Sequence, residues 1–68
     1  MPETVKALIQ GLKDEAADVR ENSARSLGQL GAKEAVPDLR QLLEREPKTS
    51  ERVRAAATEA LKRLEASP

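Results

Sequence analysis

Asp14, Glu15 and Asp18 crowd carboxylates into one short stretch, which raises the question of a hard cation. The run has neither the ligand spacing nor the glycine of a calcium loop. It reads instead as a polar turn and the acidic first turn of a helix, where carboxylates complement the unpaired backbone N–H groups. A carboxylate pair for glycosidic chemistry needs a cleft with two differently tuned environments, and so short a chain offers little concavity. Ser23 and Ser26 are potential nucleophiles, but the chain contains no histidine to activate them, and nothing supports a serine–lysine pair. Arg20 and Arg54 have the chemistry to hold phosphate. No glycine-rich loop or stacking aromatic accompanies them. Their recurrence at equivalent places favours a structural role, since repeated positions serve stacking. Lys6, Lys13, Lys33, Lys48 and Lys62 are scattered and expected at the surface. The reading is of a non-enzyme: no catalytic, cofactor-binding or metal-ligating residue is assigned.

Composition narrows the classes further. Sixty-eight residues without cysteine, phenylalanine, tyrosine or tryptophan must build a core from Leu, Val, Ile and Ala. Twelve basic residues balance twelve acidic ones, so the basic excess of a general nucleic-acid binder is missing. The longest apolar run is far too short to cross a bilayer. The start, MPETVKALIQ, has no basic, then apolar, secretory pattern. The expectations are one domain over residues 1–68, a cytoplasmic location, and no nucleic-acid or membrane partner.

Four segments carry helical periodicity. Val5, Leu8, Ile9 and Leu12 form a stripe at helical spacing, with Pro2 suited to an early helical position. Val19, Ser23, Leu27 and Leu30 form the second stripe, with small residues Ser23, Ala24 and Ser26 on or beside it. Gly31 is its natural stop. Gly28 inside that helix costs about 1 kcal/mol relative to alanine, so close packing against a following helix is expected there. Val36, Leu39, Leu42 and Leu43 form the third stripe. Pro37 cannot sit deep in a helix, so Lys33 to Ala35 reads as a tight turn with the main helix starting near Val36. Pro47 ends that helix or follows its end. Thr49 or Ser50 caps the last segment, which carries Val53, Ala57, Ala60, Leu61 and Leu64.

The halves echo each other. Val5, Leu8 and Leu12 match Val36, Leu39 and Leu43; Val19, Arg20, Leu27 and Leu30 match Val53, Arg54, Leu61 and Leu64. The offset is 31 in the first set and 34 in the second, which places a three-residue insertion in the second intra-repeat loop, EREPKTSER. A repeat of this length signals a helical solenoid. The expected fold class is all-α: two stacked antiparallel helical hairpins, with one repeat over about 2–31 and the other over about 32–66. In each second helix, the Val and both Leu residues are expected to be buried. The Arg after Val packs its stem while its head reaches a carboxylate or carbonyl nearby.

The stretch LKDEAADVRENSARSLGQLGAKEAVPDL resembles the HEAT-like repeat of the phycobilisome-lyase type. That pattern runs Leu-Lys-Asp, polar turn, Val-Arg, small residues, Ala-Leu-Gly-x-Ile-Gly, then Ala-Val-Pro-x-Leu. Ser26 departs from the usual Ala, and Lys62 and Glu65 stand where the second copy would carry the two glycines. The latter departure reads as a terminal, solvent-facing helix. The resemblance implies a concave, partner-binding side made by the second helices. Carried over by position, it comprises Ala17, Asp18, Glu21, Asn22, Arg25 and Gln29, then Glu51, Arg52, Ala55, Ala56, Glu59 and Arg63. This face is mixed in charge and lacks the aromatic or Met anchors of strong binding sites. The resemblance also implies a bilin-lyase component as one role, although the chain has no Cys, His or aromatic to cradle a tetrapyrrole.

About three repeats normally make a solenoid stable, and this chain has two. Open apolar surface is therefore expected around Leu8, Ile9 and Leu12 at one end or Leu42, Leu61 and Leu64 at the other. A marginal monomer, a self-associating chain (most simply a two-fold dimer) and a piece of a longer natural or engineered array all fit. The functional expectation is a non-catalytic interaction or scaffold module, with an engineered or minimised folding or self-assembly unit as the alternative.

Overall fold

The computed structural model describes residues 2–66. Helix α1 spans Glu3–Gly11 and α2 spans Ala17–Leu30. A 3-10 turn at Lys33–Ala35 leads into α3, Val36–Arg45, and α4 spans Glu51–Ala66. No strand occurs among the described residues. The chain is all-α, two helical hairpins laid side by side. Helix α1 packs on α2, α3 packs on α4, and the most extensive contact joins α2 to α4 across the hairpins.

The punctuation residues act as their covalent chemistry requires. Pro37 lies in the first turn of α3, where a missing N–H is harmless. Glu46, just before Pro47, is extended with φ −71° and ψ 132°, because the proline ring disfavours helical backbone in the preceding residue. Ser50 sits just ahead of α4, its carbonyl accepting the Arg54 N–H. Gly31 takes φ 69° at the end of α2, which costs glycine little. The Ala32 N–H then reaches back to the Leu27 carbonyl, a turn that satisfies a helix-end acceptor.

Gly28 is explained by its neighbour across the hairpins. A Cβ at this position would stand 2.8 Å from Ala60 Cα and 2.9 Å from Ala60 Cβ. The absent side chain therefore lets α2 and α4 approach closely. Gly28→Ala removes the helix-propensity cost but pushes the helices apart through a backbone contact. The expected outcome is a net loss of about 1–3 kcal/mol, read by urea denaturation. A stabilised variant would show that this close approach is not needed.

One aliphatic cluster forms the interior. Leu12, Leu27, Leu39, Leu42 and Val53 are its largest fully buried side chains. Val5, Ala24, Ala57, Ala60, Leu61 and Leu64 join them, with Leu8, Ile9, Val36 and Leu43 packed alongside, partly buried.

Three expectations need correction. Val19 and Leu30 do not share the burial of Leu27: they remain 37% and 57% exposed. Their counterparts Val53 and Leu64 are each only 2% exposed, because α2 covers that side of α4 while nothing among the described residues covers the same side of α2. Leu12, Leu42, Leu61 and Leu64 were expected at open ends and are buried instead; Leu8 and Ile9 are half-buried. Finally, the insertion is not in a loop. Both intra-hairpin connections, 12–16 and 46–50, have the same length. The end of α1 at Gly11 corresponds to Leu42, but α3 continues to Arg45. The added residues prolong the helix, and Pro47 fixes where it must have stopped.

Candidate functional site

Three side-chain systems were candidates for chemistry: the repeated arginines, the acidic run and the two serines. The repeated arginines hold the connections. Arg20 donates through Nη1 to the carbonyls of Asp14 at 2.7 Å and Glu15 at 2.9 Å. Its Nη2 donates to Glu46 Oε1 at 3.1 Å. Its Nε lies 3.0 Å from Glu46 Oε2 without an aligned hydrogen bond, so that leg is Coulombic attraction only. Arg54 repeats the carbonyl grip, its Nη1 donating to Leu43 O at 2.9 Å and Glu46 O at 3.1 Å. Both guanidiniums therefore serve the turn ahead of their own helix. Arg20 alone also crosses to the second hairpin. These donors are committed to the fold, which accounts for the recurrence of Val-Arg.

Glu46 was not singled out by sequence. It stands 26 residues beyond Arg20 in the chain, and only the lateral stacking of the hairpins brings the two together. The one hint was an acidic residue in the connection facing a repeated arginine.

Two members of the acidic run make local hydrogen bonds to the backbone, one in the turn and one in the first turn of α2. Asp14 Oδ1 accepts the Ala16 N–H at 2.8 Å, and Asp18 Oδ1 accepts the Val19 N–H at 3.0 Å. No cluster of potential metal ligands occurs among the described residues. Ser23 is buried against the end of α1, its Oγ filling the space beside Gly11, and Ser26 is half-buried.

The positions carried over as a partner face lie on α2 and α4, and the structure distributes them unevenly. Arg25 and Gln29 of α2 meet Ala56, Glu59 and Arg63 of α4 around a groove of about 280 Å³, with Ala60 also lining it. Small side chains make its floor, and long polar ones make its walls. Ala17 meets Glu51 and Arg52 at a second, shallower depression near the helix starts, beside Thr49 and Ser50. Glu21 and Asn22 sit beside the first groove and orient its wall: Arg25 donates to Glu21 Oε2 at 2.8 Å and to Asn22 Oδ1 at 3.3 Å. Asp18 and Ala55 are exposed and line neither depression. The arrangement offers polar contacts over a small-residue floor.

Comparison with known proteins adds one match. A model of HEAT repeats covers residues 1–67. Searches of curated proteins and of solved structures found no match. HEAT repeats generally mediate protein interaction or scaffolding and are typically non-catalytic. No helix among the described residues is long and apolar enough to cross a membrane. Paired helices joined by short turns, the arginine in the same place in each pair, and a match over nearly the whole sequence agree: the chain belongs to the HEAT-repeat family.

Proposed function

We propose that this chain is a non-catalytic protein-interaction or scaffold module, one domain of two repeats, about 2–31 and 32–66. Its partner surface is the α2–α4 side. The observation that carries the reading is the groove walled by Arg25, Gln29, Glu59 and Arg63 over Ala56 and Ala60. A row of donors and acceptors above a small-residue floor suits a peptide segment that supplies complementary charges and narrow side chains. The absence of aromatic anchors fits modest affinity. Zero net charge and missing aromatics speak for a protein rather than a nucleic-acid partner.

Selection of displayed random peptides against the immobilised chain tests this. Binders are expected, and Arg63→Glu should weaken them tenfold or more while the chain still melts cooperatively as a folded domain. Peptides that bind equally well to that variant place the surface elsewhere and overturn the reading.

A second reading is a folding or self-assembly unit that associates with its own copies. The exposed Val19 and Leu30 favour it.

A further inference from the structure

The two ends of the stack differ. On α2, Val19, Ser26 and Leu30 fall on one edge, with Asn22 beside it, by helical spacing. Leu8 of α1, half-buried, has Leu39 as its counterpart in the second hairpin. In that hairpin the matching large residues are sheltered: Leu39 is 0% exposed, and Val53 and Leu64 are each 2% exposed. The same edge is thus built to be covered in both repeats and is covered in only one. Ser26 occupies the place of Ala60, the residue that lies under Gly28, and is small enough to admit a neighbouring helix.

The opposite end carries no such edge. Lys62 stands where Gly28 stands one repeat earlier, and it is exposed together with Glu51, Thr58 and Glu65. Glu65 is held there in an ion pair with Arg40 of α3. A lysine at the point of closest helix approach rejects the stacking geometry that Gly28 permits. Copies therefore cannot stack head to tail in the manner of the internal repeats.

We infer that two copies of this chain dock α2 edge to α2 edge as a closed two-fold dimer. Val19 and Leu30 lie eleven residues apart on α2, roughly 16 Å along the axis at about 1.5 Å per residue. Antiparallel apposition places each Leu30 over the partner's Val19 and the small polar Asn22 and Ser26 at the centre. An isologous contact sets each patch against itself, so a charged edge would repel. Val19, Asn22, Ser26 and Leu30 carry no charge, and the chain has none net. Few large side chains are covered, so the interface belongs to the weak, transient class. This inference rests on the self-association reading and is independent of the groove.

Sedimentation velocity from about 10 µM to about 1 mM, a span suited to weak association, tests it. A monomer–dimer equilibrium that stops at two is expected. Leu30→Lys should weaken dimerisation at least tenfold with an unchanged melt of the monomer, and Lys62→Ala should leave dimerisation as it was. A dimer indifferent to Leu30→Lys overturns the α2 edge and leaves self-association standing. Growth beyond two also overturns it, by showing head-to-tail stacking. A monomer throughout overturns both, leaving the edge to a preceding repeat of a longer array.

Discussion

Leu27→Ala lowers the unfolding free energy by about 2–5 kcal/mol, the range for deleting a leucine side chain from a packed interior. Leu27 is 0% exposed and sits on α2, the helix that packs on both α1 and α4. Losing its isopropyl group opens a cavity where the two hairpins meet. A domain of this size rarely has more than about 3–5 kcal/mol in reserve, so the variant should be largely unfolded near room temperature. Ellipticity at 222 nm against temperature checks this. Two controls on the same helix give the result its meaning. Glu21→Ala, which removes only the surface pair with Arg25, should cost well under about 1 kcal/mol. Leu30→Ala, at dilute concentration, should also cost little, because that side chain is already 57% exposed. Equal losses at Leu27 and Leu30 would contradict the burial assigned to α2.

Arg20→Ala should be the second large effect, about 3 kcal/mol, near the lower end of the range for breaking a buried pair. The side chains of Arg20 and Glu46 are only 16% and 8% exposed. Truncation leaves the Glu46 carboxylate without its countercharge and the carbonyls of Asp14 and Glu15 without their donor. It also removes the alkyl stem from its packing. Arg54→Ala should cost less. Arg54 grips two carbonyls in the same way but has no carboxylate facing it among the described residues. The inter-hairpin share can be isolated by a double-mutant cycle. Arg20→Met keeps most of the stem, Glu46→Gln removes the opposite charge, and the pair together should lose less than the two separately, with coupling of about 0.5–3 kcal/mol. Additive losses would show that the guanidinium acts only on its own turn.

These two predictions also mark how far single residues could be read from the chain. The periodic stripes, Pro37, Pro47 and the Gly31 stop are local. Each depends on the backbone's own rotational limits or on helical spacing over a few residues, so all were legible before any packing was known. The match between halves was legible for the same reason. It identified the two arginines as structural, while the cost of a glycine inside a helix marked Gly28 as a site of close approach. The positions around the groove were reached only by analogy between repeats. Which of them line one depression depends on the distance and rotation of α2 against α4, and no local pattern records those.

What the sequence by itself determined was four helices, their order and their repeat. Helix formation and its stops are set by neighbours in the chain, and those are written in order. Burial, in contrast, depends on how many other elements arrive at a face. Val19 and Val53, or Leu30 and Leu64, are identical in type and register, yet only the second of each pair is covered. The Arg20–Glu46 pair likewise exists because stacking brings two distant connections together. The three extra residues could have enlarged a loop; they lengthen α3 instead. Only the tertiary structure decided these points, because shielding from water and pairing of charge follow proximity in space.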